Sequence, residues 1–545
     1  MRITERRSAI DRRRRLACLV SLLVAGEAVG AVPSDAQAAP SGGRPITRIQ
    51  ISRESIFDST EAGRWYARIA NGLHVTTREF VVRREILLAL GSPYDSALAA
   101  ESARNLRRLG FFRGVRLDTI AGSDGQTLRV TTRDRWTTKS NAGARFTGGQ
   151  TIVNLSLTET NLAGTGVSLG FRYRTEPDRN ALRLAVIVPR VVAGTTDWRT
   201  QVDRLTDGDV TFMGLANPFR TLADRHAFSI EWTLLDRRVL RWRGGNAAPA
   251  DSLRHVLNQV RALVGQAWRA GPSGYLRSDL TLLVRREDFA PYLTGAVVPR
   301  STFGAIGTSV EASRARFHLT EGLRSTGIDE DVNLSPTVRA GLWLTPAQWG
   351  FDRSGIGSEL TLQGGTLVAN GRGFAFAQLA ATARHAAGLD SGTVRGAATV
   401  IVRPSRDHLI ALYVGGGAQR RPTPGVEFDL GLTTGPRAFP VHAFTGNRMY
   451  QGTAEYQYTV TRDVMGKGLA SLGMATFVDR GGAWFTGSAA RHGTDAGVGL
   501  RLGSPRVPST NGLLRLDLAY RFRNDALRAR WVVAVGSGFP FEVPR

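Results

Sequence analysis

From about residue 138 to the end of the chain, apolar and polar residues alternate, and that period confines the fold to extended strands. Thr165 to Arg174 sets Val167, Leu169, Phe171 and Tyr173 on one face and Ser168, Gly170, Arg172 and Arg174 on the other. Leu182, Leu184, Val186 and Val188 repeat the pattern with Arg183 opposite, and Leu280, Leu282 and Val284 do so again. Near the end, Leu514, Leu516, Leu518, Tyr520 and Phe522 oppose Arg515, Asp517, Ala519 and Arg521. Side chains of a strand alternate between its faces, so each segment reads as a strand with one apolar and one often charged side.

A soluble sandwich also alternates. The runs here, however, are about nine to eleven residues long, the length a tilted strand needs to cross a bilayer. They recur with no intervening helical domain. No stretch beyond the N-terminus is apolar enough for a membrane helix, which takes about 20 residues. Only helices and closed barrels satisfy every backbone group in lipid. At roughly 25 residues per strand with its turn or loop, residues 138–545 hold about sixteen strands. The expected fold class is an all-β transmembrane barrel of about sixteen antiparallel strands.

Residues 45–136 follow another rhythm. Ile46 to Ser52 alternates and reads as a strand. Thr76-Thr-Arg-Glu79 fits a capping box, and Val82, Ile86 and Leu90, with Leu87 beside them, give the helix it opens an apolar face that ends at Gly91. Asp95 caps a second helix, with Ala99, Ala103 and Leu106 on one face and Gly110 at its close. Strands over Phe112–Ile120 and Thr127–Arg133 follow, joined by the turn Gly122-Ser-Asp-Gly125. The order β-α-α-β-β makes a compact α+β unit.

The first 38 residues read as an export leader. Arg12 to Arg15 form its charged region, Leu16 to Ala25 an apolar core too short to span, and Ala36-Gln37-Ala38 a cleavage pattern. Cys18, the only cysteine, lies inside it, so the exported chain is expected to hold neither a disulfide nor a thiolate metal site. A barrel must cross the inner membrane unfolded, which favours the general secretory route over twin-arginine export.

The formal net charge is +25, and Lys139 and Lys467 are the only lysines. The arginines are spread over many segments and not clustered, which argues against a nucleic-acid face. Neither lysine sits in a phosphate-binding loop, and the eight histidines are scattered with no zinc-type spacing, so no cofactor or metal is expected. Gly166-Val-Ser168-Leu-Gly170 formally fits a nucleophile elbow. That motif needs a strand-to-helix turn, whereas Ser168 falls inside an alternating strand, and no enzymatic activity is expected.

Three motifs carry the functional signal. Gly435-Pro-Arg-Ala-Phe-Pro440 precedes Phe477-Val-Asp-Arg-Gly481, and Glu159-Thr-Asn161-Leu-Ala-Gly164-Thr-Gly166 follows the first long strand. They resemble the motifs of the BamA/TamA superfamily of outer-membrane barrel proteins. Asn105-Leu-Arg-Arg-Leu-Gly-Phe-Phe-Arg-Gly-Val115 resembles that superfamily's POTRA domain, a periplasmic polypeptide-transport module. The resemblance implies that Arg437, carried inward on the loop between strands near 406–417 and 450–460, bonds Asp479 on the inner wall. Phe439 would pack near Gly481, with Phe477 on the same wall strand. Ala438 stands where the family has Gly, and a glycine used there at positive φ would leave alanine strained. Glu159, Asn161, Gly164 and Gly166 would form the turn at the start of the barrel, the glycines allowing positive φ. The C-terminus departs from family habit: Leu527 to Phe541 alternates, but Glu542-Val-Pro-Arg545 follows the aromatic residues on which such barrels usually stop.

The resemblance further implies an outer-membrane location for residues 138–545 with a POTRA-like domain, residues 45–136, in the periplasm. The implied activity is insertion of other barrel proteins, or export of a polypeptide through the lumen. The implied partners are outer-membrane lipid, unfolded client polypeptides and periplasmic or inner-membrane accessory proteins, without nucleic acid. A passive Arg-lined channel and a structural surface antigen are the alternatives. One POTRA-like unit is fewer than BamA itself uses.

Overall fold

The computed structural model describes residues 44–537 apart from 58–62, 64, 148–149, 193, 243–248, 292–301, 322–328, 432–433, 465–469, 505–513 and 523–529. The segment expected to be a leader, with Arg12 to Arg15 and Cys18, and the C-terminal Phe539 and Phe541 lie outside the described residues.

The first unit holds β1 (Ile46–Glu54), α1 (Trp65–Leu73), α2 (Glu79–Arg83), α3 (Ser96–Arg108), β2 (Phe112–Ala121) and β3 (Gln126–Asp134). Its sheet runs β1-β3-β2, with β1 parallel to β3 and β2 antiparallel to it. Ile46, Val81, Val82, Leu106, Phe111, Phe112, Leu128 and Val130 form the core. The Asp95 carboxylate accepts from the amides of Ala97 and Leu98 and caps α3. The capping box does not form. Arg78 stands at the N-cap with no side-chain cap, and Thr77 gives its hydroxyl and amide to Asp134, at 2.9 and 2.8 Å. The helix stops at Arg83 instead of reaching Leu90, and the Leu87 amide goes to Ser102 Oγ at 2.9 Å. Helix α1 has no counterpart in the sequence reading; Ala67 and Ala70 hold it on Ile56, Phe57 and Trp136.

The barrel begins with β4 (Thr138–Thr147), β5 (Gln150–Leu162), β6 (Val167–Thr175), β7 (Asn180–Val192), β8 (Thr196–Leu205) and β9 (Gly208–Asn217). Longer strands follow: β10 (His226–Arg241), β11 (Asp251–Gly271), β12 (Gly274–Pro291) and β13 (Thr302–Arg314). A separate hairpin, β14 (Phe317–Glu321) and β15 (Asp329–Asn333), interrupts the meander. The wall resumes with β16 (Thr337–Thr345), β17 (Gly355–Val368), β18 (Gly373–His385), β19 (Leu389–Ser405) and β20 (His408–Arg420). A long loop carrying the short pair β21 (Phe428–Leu430) and β22 (Phe444–Gly446) leads to β23 (Arg448–Thr461). The last strands are β24 (Ser471–Trp484), β25 (Gly493–Gly503), β26 (Leu514–Arg521) and β27 (Trp531–Ser537), and β27 pairs with β4 to close the ring.

The ring has twenty antiparallel strands, not about sixteen. The expected count allowed too much chain for each connection. Thr138 to Ser537 gives about twenty residues per strand with its turn, because turns such as Gly271–Gly274 and Ser405–His408 are tight.

Alternation decides what each face meets. Leu169, Phe171, Ile230, Val264, Leu342 and Val414 stand exposed on the outside, Val414 at 60%. Charged residues on the alternate face of the wall pair as ions: Arg183 with Asp203 at 2.7 Å, and Arg339 with Asp279 at 2.8 Å. An exposed apolar surface this extensive belongs against lipid. Exposed aromatic residues stand near both rims, Trp198 and Trp268 at the end facing the α+β unit and Phe522 and Trp531 at the far end.

Candidate functional site

The loop between β20 and β23 turns into the barrel and buries Arg437 at 4% exposure. Arg437 Nε donates to Asp479 Oδ2 at 2.7 Å and Nη2 to Oδ1 at 3.2 Å, a two-pronged contact. Nη2 also lies 2.9 Å from Glu455 Oε2, and Nη1 donates to Asp517 Oδ2 at 3.1 Å. The guanidinium rests on the Phe477 ring, 3.6 Å from its centroid. Three strands, β23, β24 and β26, thus each supply a carboxylate to one loop arginine. The carboxylates are shared outward as well: Arg501 binds Glu455 at 2.8 Å and Asp517 at 2.7 Å, and Arg515 meets Asp517 at 3.1 Å. On β25, Asp495 accepts the Ala438 amide at 2.9 Å.

Phe439 lies beside Gly481, over its cross-strand partner on β25. Its ring covers Gly493 on β25, where an added Cβ would stand 2.1 Å from the ring, and it meets Phe444 with centroids 5.0 Å apart. Pro436 covers Gly481 itself. Ala438 is fully buried and has no positive φ, so alanine fits where the family pattern has glycine. Among its described residues, the left-handed ones of this loop are Arg421 (φ 46°), Gly425 (φ 84°), Gly435 (φ 97°) and His442 (φ 62°).

His442 fixes the returning limb to the opposite wall. Its Nε2 lies 3.0 Å from Asp178 in the β6–β7 turn, and its Nδ1 bonds Asp429 on the loop itself. The imidazole stacks on Trp242, beyond the end of β10, with centroids 4.1 Å apart. Thr445 Oγ1 donates to the Trp242 carbonyl at 3.1 Å. The loop therefore crosses the lumen near its far mouth. Burial opposes charge on His442, but the bonds to Asp178 and Asp429 prevail and push its pKa up to about 9.

The motif Glu159, Asn161, Gly164, Gly166 is a joint with the α+β unit. Glu159 accepts Thr138 Oγ1 at 2.6 Å and the Asn161 amide at 2.7 Å. Asn161, 3% exposed, donates to Thr77 Oγ1 at 2.8 Å and accepts the Gly166 amide at 2.7 Å. Gly164 (φ 72°) receives the Arg78 amide on its carbonyl at 2.9 Å, and a Cβ there would stand 2.7 Å from Thr76 O. Gly166 (φ 79°) lies against Arg84. Two further bonds tie the unit down: Arg190 to Glu85 at 2.9 Å, and the Leu222 amide to Glu101. Ser168 lies inside β6.

Glu455, Asp495, Asp517, Arg501 and Gly493 were not assigned to the site by sequence reasoning. Alternation places Asp517 on the charged face, but no spacing joins it to a loop residue 80 positions earlier. The available signal was the inward glycine row Gly493, Gly497 and Gly499 on β25, which leaves room for Phe439, Phe477 and Arg501.

An apolar outer face, a charged lumen and a loop locked across it define a membrane-spanning β-barrel with an obstructed lumen and an α+β unit docked at one mouth. No protein-family model and no curated protein sequence matches the chain. Among solved structures it is similar to CdiB from Escherichia coli, at 12% identity over 97% of this chain and 98% of that one, with a TM-score of 0.44. CdiB from Acinetobacter baumannii (10% identity, 90% and 73% covered, TM-score 0.40) is similar too. So is BamA from Haemophilus ducreyi lacking POTRA domains 1-3 (14% identity, 91% and 85% covered, TM-score 0.37).

Proposed function

We propose that the chain is an outer-membrane barrel of the BamA/TamA kind that inserts barrel proteins or passes a polypeptide, with residues 45–136 as a periplasmic POTRA-like domain. The observation that carries this reading is the seam. Among the described residues, β27 and β4 share two pairs in register, Val533 with Phe146 and Ala534 with Arg145. Every other wall pairing has at least seven, and β11 with β12 has eighteen. A short seam leaves backbone N–H and C=O groups that a client strand can take up by edge addition.

The Arg437 clasp supports the same reading. It ties β23, β24 and β26 from the inside, so the wall beside the seam stays assembled when the seam parts. The sheet order leaves β1 and β2 as edges on which a client can be held before delivery.

The test is depletion of the chain from cells, with outer-membrane barrel proteins expected to fall. A locked seam, Phe146→Cys with Val533→Cys, should block assembly when oxidised and restore it on reduction. Unchanged client levels together with a large, ion-selective conductance of the purified chain would establish the passive channel instead.

A further inference from the structure

The hairpin β14–β15 lies inside the near mouth of the barrel. Val332 and Leu334 pack on the inward residues Phe374, Phe376, Ile401, Leu409 and Ala411, while Ile410 and Leu412 between them face outward. From the other side, helix α3 holds the hairpin. Arg107 grips Asp331 with two bonds, 2.6 and 2.8 Å, and Arg104 lies over Phe317 at 4.6 Å.

The hairpin is acidic and its surroundings are basic. Its strands, Phe-His-Leu-Thr-Glu321 and Asp329-Glu-Asp-Val-Asn333, carry four carboxylates and neither Lys nor Arg. Glu321 and Thr320 wall a cavity of about 660 Å³ whose other sides carry Arg372, Arg403, Arg406 and Arg462. Asp407, the acid on the barrel side of this cavity, is bonded to Arg462 at 3.0 Å. Glu330 acts electrostatically on both Arg135, in the link from the α+β unit, and Arg403. Among the described residues, each strand of the hairpin pairs in a sheet only with the other.

We propose that the arginine-lined cavity is a binding site for an acidic, extended polypeptide segment, and that the acidic hairpin β14–β15 holds its place until such a segment arrives. The inference rests on the polypeptide-handling reading and names its substrate class. Guanidinium groups pair carboxylates in planar, two-pronged fashion, so an incoming acidic strand can replace the contacts the hairpin makes. Because Arg107 belongs to α3, displacing the hairpin also reports to the docked unit.

The test uses the full chain in detergent micelles and two fluorescent twelve-residue probes, alternating Glu-Thr and alternating Lys-Thr. Neutralising the hairpin by Glu321→Gln with Glu330→Gln keeps Asp331 and its anchor. The acidic probe should then bind at least tenfold more tightly than to the unaltered chain. That gain should vanish when Arg372→Gln and Arg403→Gln are added, and the basic probe should show none. Equal affinity for the two probes, or no gain in a variant that still runs as a folded barrel, would overturn the proposal. Either result leaves the seam experiment untouched. Conversely, unchanged client levels after depletion would remove the insertion reading without altering the probe affinities.

Discussion

The two mouths of this barrel are obstructed by different physics. At the far mouth, a loop is held by a buried charge network: Arg437 against Glu455, Asp479 and Asp517, all at 5% side-chain exposure or less. At the near mouth, a hairpin is held by apolar packing and one partly exposed pair, Arg107 with Asp331 at 16 and 18%. A desolvated charge cannot be left without its partner, so the loop is fixed in one place. Apolar contact and a partly solvated ion pair are exchanged at lower cost than a fully buried network, so the hairpin suits displacement. An obstruction that braces the wall and one that yields to a ligand therefore call for opposite anchoring chemistries.

The largest expected effect tests the first half of that contrast. Arg437→Ala or Asp479→Ala should destabilise the barrel by about 3–5 kcal/mol, less whatever lumen water recovers. Thermal unfolding by gel mobility and proteolysis of residues 421–447 will measure it. The double exchange Arg437→Asp with Asp479→Arg should recover little, because Glu455 and Asp517 would then face another carboxylate. Full recovery would mean that Asp479 alone holds the loop.

Next in size is Gly493→Leu, which fills the space under Phe439 and should cost about 1–3 kcal/mol through displaced packing. The same substitution at Gly271, where a Cβ meets nothing within 4 Å and φ is not positive, should be nearly silent. Equal losses at the two sites would remove the claim that Phe439 seats the loop.

A smaller effect distinguishes the two limbs of the loop by pH. The folded pKa of His442 is raised, from 6.5 to about 9. Its contribution is therefore fully present below 6.5 and lost as pH rises through about 9. Trp242 emission should change over that window as the stacked imidazolium is discharged, and His442→Gln should abolish the change. Arg437 should keep its grip throughout, because guanidinium does not titrate there.

The smallest effect belongs to the near mouth. Arg107→Ala should cost about 1 kcal/mol or less, as partly exposed pairs do. It should raise hydrogen exchange in residues 317–333 and leave residues 436–444 protected. If protection falls equally in both segments, the mouths are not independently held.

Much of the fold can be read from period two, because a barrel imposes the same inside–outside choice on every strand. Leu169 and Phe171 face lipid and Arg172 faces the lumen with no need of tertiary information. The strand number was beyond that reading, since it depends on how tight each turn is, and tight turns such as Gly271–Gly274 carry no length signal of their own. Helix α2 fell short of Leu90: the Leu87 amide goes to Ser102 on α3, and local helical periodicity cannot anticipate a competitor on another helix. The Arg437–Asp479 pair was legible only through a motif. Asp517 and Glu455 were not, because strands brought together by closure are far apart in sequence.

By itself, then, the sequence determined which side of each strand meets lipid, where the α+β unit gives way to strands, and that the loop after β20 carries a charge needing a partner. Tertiary structure alone decided that the partner is three carboxylates, that Phe439 sits on Gly493, and that the barrel-start turn grips Thr77 and Arg78. It also placed an acidic hairpin in a basic mouth. The reason is range: alternation is a local property of neighbouring residues, whereas each of these contacts joins strands whose adjacency exists only once the ring has closed.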